Sequence, residues 1–254
     1  MAMVKASRMG LILSVLTLVF ALVVTASSTY AWFAMNSTVS ATGMQVSVVA
    51  DNTYLVITNT LTGNVDADDK FLGTVTTSTI AASEAGGDIL PANLKADSTY
   101  DNMVWQTAAG TSTSNGAALG GYATIADTTN YVKKFTFYAG LNPDYSAVNA
   151  SNLVVSGITV AKQDNAASDA FKNAINVCAV CGTNVRNFTT TTAGVFNLAD
   201  NVLADEVLAD GTPIQIDVYV YVNGDNENVT SANAAVALGG YTVSLNFDVT
   251  AGTL

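Results

Sequence analysis

The side chains best suited to chemistry in this sequence are two cysteines in a Cys-x-x-Cys pair, Cys178 and Cys181. The chain has no other cysteine and no histidine, so a tetrahedral zinc site within one chain lacks ligands. The alternation of Val177, Ala179 and Cys181 predicts a buried strand, whereas a thioredoxin-like motif opens a helix. Along a strand rising ~3.3 Å per residue, Cα atoms three residues apart are about 10 Å apart, too far for a disulfide. We therefore expect two buried or half-buried free thiols; a disulfide would require a turn near Gly182.

The absence of histidine removes whole classes of function. A Ser-His-Asp triad, a Cys-His pair and an HExxH zinc site all need the imidazole ring. Nine basic and twenty acidic residues give a net charge of −11, which repels phosphate backbones. We expect a protein that is not an enzyme and binds no nucleic acid. A hydrolase that uses carboxylates alone is the remaining enzymatic alternative.

Acidic residues offer the main candidates for metal binding. They cluster at Asp66, Asp68 and Asp69, and again at Asp225 and Glu227. Loop oxygens of this kind suit calcium, but neither cluster has the full EF-hand pattern, and Asp at turns is common. We expect no cofactor and keep calcium as the alternative.

Two further sets of residues could bind a sugar or carry one. Tyr219, Tyr221 and Tyr241 could form an aromatic patch for a carbohydrate, although tyrosines on an outer strand face more often pack under a covering loop. Asn-x-Ser/Thr sequons, which matter if the host glycosylates exported proteins, lie at Asn36, Asn149, Asn187 and Asn228.

The elements that must position these residues are mostly strands. Alternating apolar residues and β-branched residues predict them over 33–41, 44–48, 53–59, 73–80, 101–106, 131–139, 152–161, 183–190, 212–222 and 240–250. One short helix is predicted over 169–176, capped by Ser168 or Asp169. We predict an all-β fold, an antiparallel jelly-roll-like sandwich formed by residues 32–254. Segment 60–130, rich in Gly, Ser, Thr and Ala, is predicted to be a surface insertion, with a small second lobe as the alternative.

The two C-terminal strands have the clearest pattern. In 212–222 the residues Ile216, Val218 and Val220 share one face, and Tyr219 lies on the other. Segment 240–250 alternates in the same way, so the two are predicted to be partners, each with one buried face.

Residues 1–31 have the features of an export leader. Lys5 and Arg8 precede an uncharged run from Gly10 to Ala26, and small residues permit a cut after Ala31, with a cut near Ser28 as the alternative. A retained hydrophobic leader helix that anchors the chain is the alternative, because the run approaches the length of a membrane span. A prepilin leader cut after Gly10 is a third. In each case only the leader contacts the membrane, and the rest of the chain is predicted to be extracellular, at the cell surface.

Three stretches together resemble exported β-sandwich proteins of the TasA/camelysin group. They are the junction Thr29-Tyr30-Ala31-Trp32-Phe33 with 39–49, the segment 168–181, and the pair 216–224 with 241–248. The resemblance implies an extracellular jelly-roll subunit that polymerises into fibres, with its N-terminal strand completing the next subunit's sheet. Camelysin-like members have been described as metalloproteases, and the absence of histidine argues against that activity here.

The residues themselves also favour assembly through the N-terminus. After a cut at Ala31, residues 32–41 become a terminal strand that is apolar on one side, and unpaired edges are adhesive. The predicted assembly residues are Trp32, Phe33, Met35, Val39 and Ala41. Pairing within its own subunit is the alternative for this strand, and the resemblance favours exchange. The predicted function is a structural subunit in a linear polymer of itself; the alternative is a monomeric or membrane-tethered adhesin or carbohydrate-binding module.

Overall fold

The computed structural model describes residues 39–40, 44–50, 55–72, 77–81, 88–95, 99, 103–108, 122–143, 150–163, 169–190, 194–208, 211–226, 228–229 and 240–251. The predicted leader 1–31, with its cleavage residue Ala31, lies outside these ranges, as do the assembly residues Trp32, Phe33, Met35 and Ala41. Within the ranges, no helix has the length and apolar character needed to cross a membrane.

Two five-stranded sheets form the centre of the fold. The first contains, in spatial order, β13 (Val202–Leu208), β10 (Ala150–Lys162), β15 (Tyr241–Ala251), β2 (Gln45–Ala50) and β4 (Thr77–Ala81). The second contains β12 (Asn184–Phe188), β11 (Ile175–Cys181), β14 (Ile214–Val222), β9 (Val132–Leu141) and β3 (Leu55–Thr58). A three-stranded sheet joins β6 (Asn93–Leu94), β7 (Trp105–Ala108) and β8 (Tyr122–Thr124), and a ribbon joins β1 (Val39–Ser40) to β5 (Asp88–Ile89).

The fold is mostly β-sheet arranged in several sheets, which is consistent with the predicted all-β sandwich. Side chains from both five-stranded sheets form one buried cluster between them. All named strand pairs in the described chain are antiparallel apart from β2 and β15, which run parallel. The sequence pattern did not reveal this exception, because a period of two residues fixes which face is buried and leaves strand direction open.

The predicted pairing of the two C-terminal strands is wrong. β14 lies between β11 and β9, whereas β15 lies between β10 and β2 in the other sheet. Both are buried on their apolar faces, with Val220 and Leu245 fully buried in the shared core. Alternation correctly identified the buried faces, but two strands that bury the same kind of face can hydrogen-bond to each other or pack across a core.

The predicted helix over 169–176 is also wrong in length and type. The structure has a 3₁₀ helix over Phe171–Ala174, with no side-chain hydrogen bond at its N-cap, and Ile175 begins β11. Four residues of 3₁₀ helix are a short connector. Phe171 and Ala174 are fully buried beneath it, so the apolar spacing that suggested a helix instead anchors the turn.

Segment 60–130 contributes to the two five-stranded sheets in two ways. Its strand β4 is an edge strand of the first sheet and pairs with β2. Its hairpin loop places Phe71 against β9, where a Cβ added at Gly140 would lie 2.8 Å from the Phe71 ring and 2.7 Å from the carbonyl oxygen of Thr212. Only glycine fits this approach, because real Cβ atoms do not come so close to other heavy atoms.

The three-stranded sheet from the same segment covers the outer face of the second five-stranded sheet. Trp105, which is 4% exposed, packs edge-on against Tyr221 with ring centroids 5.0 Å apart, and its ring lies 6.0 Å from that of Tyr219. This second cluster has as its buried members Leu94, Trp105, Val132, Cys178, Val180 and Tyr221. The part of the outer face of β14 that carries Tyr219 and Tyr221 is therefore covered by a layer of the same chain.

Candidate functional site

A polar cleft opens where the three-stranded sheet meets the second five-stranded sheet. Its volume is about 260 Å³. The polar side chains that line it include Asn93, Gln106, Tyr122, Asn176, Asn187 and Asp225. Lys95 is the one cation among the described lining residues. Clefts at the junction of two layers are common ligand sites, because their walls are already fixed by packing on both sides.

Backbone hydrogen bonds hold the two walls of the cleft together. The backbone NH of Ala92 donates to the carbonyl of Val222 at 2.8 Å, and Gly224 NH donates back to the carbonyl of Ala92 at 3.4 Å. Ala92 also forms a parallel bridge with Asn223. The start of β6 is thus attached to the end of β14, and this sets the distance between the walls.

The floor of the cleft is a network of neutral groups. Tyr221 is 1% exposed, and its hydroxyl donates to Oδ1 of Asn187 at 2.8 Å. Nδ2 of Asn176 donates to the same hydroxyl at 3.4 Å, and Oδ1 of Asn176 accepts from the backbone NH of Thr190 at 3.3 Å. Burial raises the pKa of Tyr221 well above its ordinary value, so the floor stays uncharged in any physiological solution.

The rim is organised around one carboxylate. Asp225 accepts from the Tyr122 hydroxyl at 2.6 Å and from Nδ2 of Asn93 at 2.5 Å. The hydrogen bond to Asp225, with a smaller effect of burial, raises the pKa of Tyr122 to about 12. The Tyr122 side chain is nevertheless 49% exposed, so it remains available to a ligand.

A second carboxylate, that of Asp217, lies outside the cleft and is held by an ion pair and hydrogen bonds. Asp217 is 8% exposed and lies 2.9 Å from Nζ of Lys134. It also accepts from Thr136 Oγ1 at 2.8 Å and from Gln215 Nε2 at 3.0 Å. Burial alone would lower the pKa of Lys134, but the hydrogen bond and charge of Asp217 outweigh it and the pKa is raised. Lys134 and Asp217 therefore form a structural ion pair on the outer face of β14, and Thr136 and Gln215 donate further hydrogen bonds to it.

Neither cysteine forms a disulfide and both are buried, as the sequence predicted. Cys178 belongs to the cluster under the three-stranded sheet and Cys181 to the core between the five-stranded sheets, so they lie on opposite faces of β11. Burial raises the pKa of the Cys178 thiol to about 12, which leaves it protonated and unreactive. A turn does follow at Gly182, where φ is +55°, but it leads into β12 and does not join the two thiols.

The tyrosine patch predicted as one alternative does not form. Tyr241 is fully buried in the central core, 6.0 Å from the ring of Phe171, while Tyr219 and Tyr221 lie under Trp105. This error has the same cause as the error in the predicted strand pairing, since Tyr241 would lie near Tyr219 and Tyr221 only if β14 and β15 were neighbours.

The acidic residues predicted as candidate metal ligands lie in separate surroundings. Oδ1 of Asp66 accepts from the backbone NH groups of Asp68 and Lys70, each at 2.9 Å, which is ordinary turn chemistry. Glu227 lies outside the described residues. In the described part of the chain, no three His, Cys, Asp or Glu side chains are grouped so that they could hold a metal.

The described end of the predicted assembly strand is paired within the chain. Val39 lies opposite Ile89 and Ser40 opposite Asp88, in antiparallel register. The backbone NH of Leu90, next along the chain, donates to the carbonyl of Asn130 at 2.6 Å. The ribbon therefore adjoins the start of β9 and belongs to neither five-stranded sheet.

Comparisons with protein-family models, with curated proteins and with solved structures give no match for this chain. The resemblance to the TasA/camelysin group therefore stays a prediction from the residues that carry it.

The cleft itself was missed by the sequence analysis. Asn93, Gln106 and Tyr122 come from segment 60–130, which lacks strong periodicity, and they join β11, β12 and β14 only through tertiary contacts. A usable signal was present in the alternation of Asp217, Tyr219 and Tyr221: large side chains on the supposedly exposed face of a central strand call for a covering layer.

Proposed function

We propose that this protein is a structural subunit of an extracellular filament or matrix, and that subunits join through residues 32–41. The export leader, the absence of histidine and a surface of short neutral side chains support a non-enzymatic role outside the cell. The jelly-roll connectivity and the leader helix are parts of the same proposal.

One observation carries the assembly mechanism. The only described pairing of the N-terminal strand consists of two residue pairs, Val39 with Ile89 and Ser40 with Asp88, in a ribbon separate from both five-stranded sheets. Isolated two-stranded ribbons are marginally stable. Exchange of this contact for a longer pairing with a neighbouring subunit therefore has a small cost and a larger gain.

The acceptor in this proposal is β4, which has a strand partner on one side only among the described residues. Edge strands usually carry charges or proline that discourage pairing with other chains. Of the four edge strands of the two five-stranded sheets, β13 contains Asp205 and Glu206 and β12 contains Arg186, whereas β4 (TSTIA) and β3 (LVIT) have neither charge nor proline. All four residues of β3 are buried, which leaves β4 as the acceptor. The β12–β13 side is also bridged, since Asn184 Nδ2 donates to the carbonyl of Leu203 at 2.9 Å.

The test uses the full chain secreted from cells, analysed by intact mass, N-terminal sequencing and negative-stain microscopy. We expect a chain that begins near Trp32 in regular filaments, and no filaments after deletion of 32–41. Thr79→Lys, on the β4 edge, should block filaments because edge lysines oppose strand addition. Its matched control is Ser244→Lys, in the same cross-strand row as Thr79 and Ser47 but on the inner strand β15, which has a strand partner on each side at this position.

Three outcomes would refute the mechanism. Filaments that survive deletion of 32–41 or the Thr79→Lys substitution exclude strand addition at β4. A chain that retains its leader and stays with membranes indicates a tethered surface protein. A chain cut near Trp32 that remains a monomer supports the alternative, a monomeric surface adhesin.

A further inference from the structure

We propose that the cleft between the three-stranded sheet and the second five-stranded sheet binds a neutral saccharide unit. This site is separate from residues 32–41 and from the β4 edge, so it does not depend on filament formation.

The lining chemistry matches the needs of a polyhydroxylated ligand. Asn93, Gln106 and Asn187 line the cleft with side-chain amides, each of which carries both donor and acceptor atoms. Nδ2 of Asn93 already donates to Asp225, and Oδ1 of Asn187 already accepts from Tyr221, so the other atoms of these amides are the ones that can bond to sugar hydroxyls. Asn187 is exposed and its Oδ1 already accepts from Tyr221, which fixes the position of a side chain whose NH₂ group is a further donor. A set of fixed, mixed donors and acceptors favours a ligand with several hydroxyls over one with a single charge.

The rim adds an apolar surface. Tyr122 is held by its hydrogen bond to Asp225, yet half of its side chain is exposed. A ring anchored at its hydroxyl offers an apolar body to a ligand at little cost in side-chain entropy. The C–H face of a pyranose ring is a suitable partner for it. The volume of about 260 Å³ suits one sugar unit or a chain end, because it is slightly below the ~300 Å³ at which sites for drug-sized ligands begin.

Charge distinguishes a neutral sugar from an acidic one. Asp225 is the carboxylate of the described lining and Lys95 its cation, so the cleft has no excess of positive charge. The whole chain has a net charge of −11 and repels anionic polymers. Uronic-acid polysaccharides are therefore disfavoured, and neutral ones are not.

The experiment is affinity gel electrophoresis of the full secreted chain through gels that contain a neutral glucan, mannan, galactan or soluble chitin derivative, beside gels with alginate or hyaluronate. We expect retardation in at least one neutral polysaccharide and none in the acidic ones. Tyr122→Ala should weaken binding at least about tenfold, and Gln106→Ala about three- to tenfold, which is the usual effect of one lost ligand contact. Gln163→Ala is the matched control, since Gln163 is an exposed strand-end glutamine bonded to Thr242, away from the cleft.

Thermal unfolding of each variant separates loss of binding from loss of fold, and the exposed Tyr122 can be truncated with little effect on stability. The proposal is overturned if no neutral polysaccharide retards the wild type, or if folded Tyr122→Ala and Gln106→Ala bind as the wild type does. It is also overturned if only acidic polysaccharides bind and Lys95→Gln removes that binding. Failure of filament formation leaves these readouts unchanged, so the two proposals are tested independently.

Discussion

Substitution of Trp105 by alanine tests whether the three-stranded sheet is an integral layer of the fold. Trp105 is 4% exposed and packs on Tyr219 and Tyr221 over the fully buried thiol of Cys178. A buried tryptophan removes about 150–250 Å² from water, or about 4–6 kcal/mol at about 25 cal/mol per Å². Alanine retains part of that area and the unfolded chain is partly compact, so we expect a loss of about 3–5 kcal/mol.

Urea unfolding followed by circular dichroism measures this loss. With a slope of about 3 kcal/mol per M, the midpoint should fall by about 1–1.7 M. The matched control is Leu72→Ala: Leu72 is a large apolar residue that is 61% exposed, so its truncation should change the stability by less than about 0.5 kcal/mol.

A second readout locates the damage. Alkylation under native conditions, with the adduct placed by tandem mass spectrometry, should reach Cys178 faster in Trp105→Ala, while Cys181 in the central core stays protected. The reasoning is refuted if the urea midpoint is unchanged, or if both cysteines become reactive at the same rate, since the layer would then not be the cover of Cys178.

Three other predictions follow from the packing and the pKa values. Because burial raises the Cys178 pKa to about 12, this thiol loses its proton at lower pH in the unfolded chain than in the folded one. The free energy of unfolding should therefore keep its full value below about pH 9 and then fall by up to about 1.4 kcal/mol per pH unit. Denaturant titrations should show a shallower fall for Cys178→Ala. Gly140→Ala should cost about 1–3 kcal/mol in thermal unfolding, whereas Gly157→Ala, whose added Cβ meets atoms no nearer than 3.6 Å, should be tolerated; equal effects would contradict the steric argument. Asp225→Asn should move the Tyr122 pKa from about 12 back toward 10, as read by ultraviolet titration against Tyr122→Phe, and an unmoved value would exclude the Asp225 hydrogen bond as its cause.

The amino-acid sequence was sufficient for the all-β character of the fold and for the buried faces of its long strands. Alternation at a period of two placed Val218 and Leu245 in the core because each side chain's face follows from local backbone geometry alone. The same local geometry predicted that Cys178 and Cys181 could not be joined, and no disulfide links them. These conclusions concern residues within a few positions of one another, where the chain itself sets the distances.

Strand neighbours, the covering layer and the cleft were decided by the tertiary structure. β14 and β15 have equivalent patterns, and only the competition among all strands placed them in different sheets. β2 and β15 come from opposite ends of the described chain and pair in parallel, and no local residue pattern indicates this direction of pairing. The cleft joins Tyr122 to Asp225, residues 103 positions apart, through a single side-chain hydrogen bond. Contacts of such long range depend on packing energies summed over the whole molecule, so the sequence specifies them only through the complete fold.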